Sequence, residues 1–289
     1  MQVDFHCHLF ENMKKERLFD VFSLNFKGYG FFERIAREVD KIKSIETNNI
    51  IEKTIFHVRN SKIDKVVLLP ISSKENEDVL KWKEYAPDVF IPFYNPPEKS
   101  IEGKKVSEIV EKAVMEHNYK GFKIMLSFRK NKLNDKIIYP TMEIAESKEL
   151  PVLMHTGYPP PGTPKNVLSY SNPLAVDELM ASFPNVKIIL AHMGFPWTDI
   201  AIALAVQYPT IYLDISNMTY MMPYRLRELL LRAKDIIGTE KILFGTDGFI
   251  PEMIEVAMNF FNECDYLSSN EIENILGNNA IKILKLNMQ

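Results

Sequence analysis

The sequence predicts an α/β protein closed as a (β/α)8, TIM-like barrel with an insertion after the first strand. Three observations carry that expectation. Short apolar runs alternate with longer helical segments along the whole chain, eight such runs can be counted, and all of them fit within 289 residues of 46% apolar content. A repeated strand–helix alternation implies a parallel sheet with helical crossovers. Eight strands in a chain of this length suit a closed barrel better than an open doubly wound sheet, which stays open as the alternative because closure is invisible in a single sequence. A single domain over 1–289 is expected.

The strand candidates, in order, are Gln2–Cys7, Lys65–Leu69, Val89–Phe93, Gly121–Leu126, Pro151–His155, Val186–Ala191, Ile211–Ile215 and Lys241–Gly245. Most are rich in Val, Ile, Leu and Phe and flanked by turn residues, as strands buried on both faces are. Between them, Asn49–Asn60 places Ile51, Ile55 and Val58 on one helical face, and Val106–His117 does the same with Ile109, Val110 and Ala113. Leu226–Asp235 and Glu271–Leu284 read likewise. Tyr158-Pro159-Pro160-Pro161-Gly162 can continue neither helix nor strand and predicts a stiffened loop after the fifth strand. One connection is too long. Roughly forty residues, about 10–48, follow the first strand, against a usual ~2–6. They include Phe10, Phe19, Phe22, Phe26, Tyr29, Phe31 and Phe32. An insertion there sits on the face where barrel active sites are built. It reads either as a lid or oligomer contact, which would make a homodimer, or as an extra helical layer with its own small core.

Composition narrows the function. The chain carries 35 Lys+Arg against 38 Asp+Glu, a net charge of −3. No basic excess points to nucleic acid or an anionic membrane, and 25% charged with 11% aromatic residues argue against disorder. Cys7 and Cys264 cannot form a disulfide framework and fit a reducing compartment. The opening MQVDF lacks the features of a secretory signal. The most apolar stretch, Ile200 to Leu213, is too short for a bilayer and contains Gln207 and Pro209. The expectation is a cytoplasmic protein acting on a small molecule. Gly28-Tyr29-Gly30 lacks the third glycine of a dinucleotide fingerprint and follows no strand, and no phosphate-binding loop motif occurs.

Four of the six histidines end predicted strands. His6 and His8 lie two apart, so in a strand both imidazoles share one face and Cys7 takes the other. His155 closes the fifth strand, His192 the sixth, and Asp247 follows the eighth. Any one of these could be a satisfied core histidine or a helix cap. Five at the same end of one parallel sheet point instead to the catalytic face of a barrel. His57, within a helical segment, should face the barrel exterior, and His117 complements a helix C-terminus. Asp214 ends the seventh strand and could line the site or serve a structural hydrogen bond. Arg129, Tyr158, Trp197 and Arg225 lie on loops that should rim the pocket as substrate contacts, Arg129 or Arg225 by pairing with a carboxylate.

This combination resembles the metal-dependent amidohydrolase superfamily, specifically the amidohydrolase-related branch that includes decarboxylases similar to aminocarboxymuconate semialdehyde decarboxylase. The resemblance is sharpest from Leu150 to Leu286, including Gly277-Asn278-Asn279-Ala280, and weakest over Phe10–Asn48. It implies that His6, His8, His155 and Asp247 hold a divalent metal, one Zn²⁺ by the softness of three imidazoles and a carboxylate. Such an ion acidifies a bound water. The resemblance further implies that His192 is the general acid/base or oxyanion-stabilising group and that Asp247 accepts a proton. Lys123 could instead be carbamylated and bridge two metals, which would recast His192 as a ligand; otherwise it pairs with a carboxylate beside the barrel. The implied activity is hydrolysis of an amide, ester or lactone, with non-oxidative decarboxylation of an unsaturated or aromatic acid as the alternative. A metal-free lactonase and a barrel that binds without catalysing are the remaining readings.

Overall fold

The computed structural model describes residues 1–12, 14–158 and 167–287, so the proline run at 159–162 lies outside the described residues. Eight strands occupy the predicted places: β1 (Val3–Cys7), β2 (Lys65–Leu68), β3 (Phe90–Pro92), β4 (Phe122–Ile124), β5 (Val152–Met154), β6 (Ile188–Leu190), β7 (Ile211–Asp214) and β8 (Ile242–Leu243). Each pairs in parallel with its sequence neighbour in two ladders, β1 to β3 and β4 to β8. Two seams join the ladders. Tyr94 bridges to Phe122, with Tyr94 N donating to Gly121 O and Lys123 N to Tyr94 O, both at 2.9 Å. On the other side Phe5 N donates to Phe244 O at 2.9 Å and Asp247 N to His6 O at 2.7 Å. The sheet is therefore a closed barrel, and the open-sheet alternative falls.

The helices, in chain order, are α1 (Lys15–Phe26), α2 (Gly30–Asp40), α3 (Ile50–Asn60), α4 (Asn76–Tyr85), α5 (Val106–His117), α6 (Tyr139–Ser147), α7 (Val176–Ser182), α8 (Thr198–Gln207), α9 (Met218–Met221), α10 (Pro223–Ile237), α11 (Met253–Asn259), α12 (Ser269–Glu273) and α13 (Asn279–Leu284). Local chemistry sets several ends where the sequence placed them. The Asn49 side chain accepts from the amides of Ile51 and Glu52 and starts α3. Asn118 ends α5 in the left-handed conformation. The predicted helix Glu271–Leu284 is interrupted by a π-turn at Asn274–Asn278.

Alternate strand residues build two cores. Val3, Phe5, Val67, Phe93, Leu153, Ile189 and Leu243 fill the barrel, closed at its N-terminal end by α13 through Ala280, Ile281 and Leu284. Their neighbours along the strands pack outward under the helices. Val3 and Phe5 point inward, so strict alternation would turn Cys7 inward and His6 and His8 outward. A register irregularity between Asp4 and Cys7 reverses that parity. Cys7 then joins the outer core, and the two imidazoles face the barrel mouth.

The insertion folds as α1 and α2. The α2 helix buries Phe32, Ile35 and Val39 and packs on α9 and α11. Arg34 donates to the carbonyls of Tyr220 (3.0 Å) and Met221 (2.6 Å) at the end of α9. It is a helical layer whose Ile35 and Val39 join the outer core of the barrel, and it is tied to the segment that follows β7.

Candidate metal centre

Each polar residue at the barrel mouth is held by groups that decide which atom it presents. His6 is fully buried, and its Nδ1 faces Asp214 Oδ2 at 2.9 Å. His8 Nδ1 lies 2.6 Å from the Leu69 carbonyl. A carboxylate and a carbonyl can only accept, so each ring donates from Nδ1 and leaves a lone pair on Nε2. Those two Nε2 atoms stand 3.3 Å apart. Asp247 Oδ1 is 3.2 Å from the Nε2 of His8 and 3.6 Å from that of His6. Two lone pairs and a carboxylate oxygen converging this closely make a cation-seeking arrangement, and the donor set suits a divalent ion. His155 adds to the fit: it is 3% exposed and its Nε2 has no partner among the described residues. Burial, His192 and Lys123 together hold the His155 pKa well below the usual imidazole value, so it is a neutral donor. Burial and Lys123 likewise lower His6 to about 3.

His192 is reached from another direction. Its backbone N donates to Asp214 Oδ1 at 3.0 Å, and its Nδ1 faces the Ser216 carbonyl at 3.0 Å. That carbonyl fixes the proton on Nδ1, so Nε2 again carries the lone pair, 3.8 Å from Asp247 Oδ2. The ligand atoms of His6, His192 and Asp247 all lie within 4.8 Å of one another. The two oxygens of Asp247 thus face different partners: Oδ1 the His6–His8 pair, and Oδ2 both His192 and the Asn217 amide, which donates at 2.8 Å. Burial would raise the Asp247 carboxyl, but His6, His8 and His192 outweigh it and keep it ionised.

Asp214 is the hub. It accepts from His6 Nδ1, His192 N, Ser216 N at 2.9 Å and Ser216 Oγ. Burial pushes its carboxyl up, and His6, His192 and Ser216 pull it below the usual range. Of the two readings left open for this residue, the structure gives a hydrogen-bonding role inside the site itself. The fully buried Lys123 puts Nζ 3.1 Å from His6 Nε2. Burial lowers its pKa to about 8 while Asp247 and Asp214 resist the shift.

Backbone strain concentrates here. His192, Asn217 and Asp247 all have positive φ (55°, 56° and 47°), a conformation that costs non-glycine residues about 1–3 kcal/mol each and gathers at functional sites. Close approach matters as well: a Cβ on Gly245 would lie 2.5 Å from His6 Cβ, so only glycine lets β8 sit this near β1.

The rim residues divide. Tyr158 stacks on His192 (ring centroids 6.4 Å apart, 27° between planes) and donates to Asn217 Oδ1 at 3.2 Å. Arg129 is already engaged, by Glu98 at 2.9 Å and by Asn95, whose amide in turn reaches the Lys123 carbonyl. Trp197 caps α8, half-buried, and no described interaction joins it to the cluster. Arg225 is exposed and pairs with Glu228 along α10. His117 is exposed at the end of α5, whereas His57 lies outside the barrel yet fully buried. Sequence reasoning missed Ser216, Asn217 and Tyr220; the last donates to the Thr246 and Asp247 carbonyls. The signal for Ser216 and Asn217 was their place just after Asp214 at a strand end; nothing in the sequence marked Tyr220.

A family profile described as amidohydrolase matches residues 3–286. The chain belongs to the amidohydrolase family. This amidohydrolase is 30% identical over 179 residues, 54% of its own length, to protein fluG of Emericella nidulans, and it spans only 20% of that longer relative. Among solved structures it resembles an uncharacterised TIM-barrel protein of Bordetella bronchiseptica, with a TM-score of 0.73, 19% identity and 98% of each chain covered. It also resembles the 5-carboxyvanillate decarboxylase of Novosphingobium aromaticivorans, complexed with manganese and 4-hydroxy-3-methoxy-5-nitrobenzoic acid. There the TM-score is 0.64, with 13% identity over 99% of this chain and 96% of the other. These likenesses show that the barrel fold is shared. No helix among the described residues is long and apolar enough to cross a membrane.

Proposed function

We propose that this amidohydrolase is a metal-dependent hydrolase that cleaves an amide, ester or lactone of a small molecule with one divalent cation, zinc by its donor set. His6, His8, His155 and Asp247 hold the ion, and His192 is the proton carrier. The observation that carries this reading is the division of Asp247, with Oδ1 turned to the paired Nε2 lone pairs of His6 and His8 and Oδ2 turned to His192 and Asn217. A cation held by these residues would supply Lewis acidity toward the substrate carbonyl and the attacking water. Asp247 Oδ2, ionised and oriented by the Asn217 amide, takes the water proton. His192 Nε2 receives that proton from Asp247 Oδ2, 3.8 Å away, and passes it to the leaving group, with Nδ1–H anchored on Ser216 O and the ring face backed by Tyr158. The low-lying Lys123 ammonium balances the two buried carboxylates.

Decarboxylation of a planar unsaturated acid is the second reading. The rings of Tyr158 on His192 and of Phe128 on His155 favour it, because they give the site aromatic walls. The two rim arginines, Arg129 and Arg225, are spent on Glu98 and Glu228 respectively. Turnover in H₂¹⁸O separates the two. Label in the product acid supports hydrolysis; released CO₂ without label overturns it.

A further inference from the structure

On the outer flank of the barrel, outside the candidate metal centre, three side chains from three segments line up. Ser44 lies in the connection from α2 to α3 and is exposed. Its Oγ is 2.9 Å from His57 Nε2, on α3. His57 Nδ1 is 2.6 Å from Glu255 Oε1, on α11. The imidazole is fully buried and Glu255 is 21% exposed. We propose that Ser44, His57 and Glu255 form a second, metal-independent nucleophilic site, with Ser44 attacking small activated esters and related acyl or phosphonyl compounds.

The roles follow from the donors. Glu255 accepts, so His57 carries its proton on Nδ1 and turns the Nε2 lone pair to the Ser44 hydroxyl, which donates to it. Glu255 Oε1 is itself held by the Asn60 amide at 3.2 Å. The neighbouring acid, Glu252, is neutralised by Lys53 at 2.6 Å, which leaves Glu255 as the carboxylate facing His57. That arrangement is the nucleophile, base and orienting acid of a triad, recognised by geometry rather than by order in the chain. Ser44 Oγ bonds to the acyl carbon as its proton passes to His57 Nε2. The same proton then goes to the departing alkoxide or phenolate as the acyl–oxygen bond breaks. Water attacks the acyl-serine, gives its proton to His57, and the released Ser44 oxygen recovers it. The amides of Ser44 and Ile45 have no described backbone or side-chain acceptor and are the donors nearest the nascent oxyanion in sequence. Ser44 is exposed, which opens the site to reactive, unselective acyl donors.

The test is covalent labelling of the full-length protein as purified with a fluorophosphonate, followed by peptide mapping, and then the same with a chelator present. The proposal expects one adduct on Ser44, formed at the same rate with and without chelator and absent from Ser44→Ala, an exposed and structurally mild change. Glu255→Gln, verified as folded by circular dichroism, should slow labelling at least about tenfold, because the imidazole loses its orienting charge. No adduct on Ser44, or a rate that Glu255→Gln leaves unchanged, would show that the three side chains merely brace α3 against α11. Because the readout is a bond to Ser44, it succeeds or fails independently of the metal centre.

Discussion

Asp214→Asn tests how the metal centre is held in place. All four groups that reach the Asp214 carboxylate are donors: His6 Nδ1, His192 N, Ser216 N and Ser216 Oγ. An amide offers only one acceptor oxygen, so its NH₂ must confront at least one donor. If that donor is His6 Nδ1–H, the ring must rotate or change tautomer, and the Nε2 lone pair beside His8 and Asp247 is lost. A hydrogen bond to a buried charged group is worth roughly 1.5–3 kcal/mol. Partners of this kind behind a ligating histidine are worth about 10–100-fold in metal affinity, which is about 1.4–2.8 kcal/mol. The two estimates agree. The expected result is a 10–100-fold weaker zinc affinity, measured by competition with a calibrated chelator on protein shown to be folded. An affinity within twofold of the parent would refute the claim that Asp214 fixes the donor atom of His6.

Other consequences can be measured directly. His6→Ala and Asp247→Ala should each cost more than about 100-fold in metal affinity, while His192→Ala should keep about one ion per chain and lose turnover; elemental mass spectrometry on each variant decides the ligand set. Gly245→Ala forces a Cβ against His6 Cβ and should lower thermal stability by about 1–3 kcal/mol with some loss of metal, readable by denaturant titration. Tyr158→Phe keeps the ring on His192 but frees Asn217 Oδ1, so turnover should fall about two- to tenfold with metal content unchanged. Acid should destabilise the chelator-treated protein. His6 and His155 have lowered pKa values in the fold, so their contribution is complete above 6.5 and fades as pH falls, toward about 3 for His6. Buried Asp4, raised to about 6, has the opposite sign and cancels one of those two protons between about pH 4 and 6. The two lowered imidazoles outnumber the one raised carboxyl, so stability should fall on acidification below about pH 6.5, and a melting temperature that rises would contradict it.

The parts of this molecule that were legible in the sequence are those fixed by local periodicity. Eight apolar runs became eight strands because residues buried on both faces leave an unbroken hydrophobic signature, and Asn49 and Asn118 mark helix ends by their own backbone chemistry. His6, His8, His155, His192 and Asp247 were legible for the same reason, since a parallel barrel brings all its strand C-termini to one face. What was hidden depends on contacts between distant segments. The sequence expected the imidazoles to share a face, and they do, but only because a register irregularity reverses the parity set by Val3 and Phe5. Arg129 looked like a free cation until the fold brought Glu98 and Asn95 to it. His57 looked like an ordinary helix-face residue, and only the return of α11, nearly two hundred residues later, sets Glu255 against it.

The same distinction explains why the first reaction step is harder to read than the metal centre. The residues proposed as ligands stand at strand ends, which repeat a rule, whereas their protonation depends on Asp214, which also ends a strand, and on Ser216 and Asn217, which follow no repeated pattern. Asp214 ties His6 to His192 through opposite oxygens, and Asn217 ties Asp247 to Tyr158 through opposite ends of one amide. Asp214 ends β7 and Asn217 follows it, and α9, which continues from Asn217, is clasped by Arg34 of the insertion. The insertion therefore bears on the proton-handling side of the site, which includes Asp247, rather than on the histidines proposed as ligands. Trimming Arg34 to Ala should lower turnover while leaving metal affinity intact, since its two carbonyl contacts end on Tyr220 and Met221 and not on a ligating histidine. Equal losses of both would mean that α2 supports the whole barrel mouth instead.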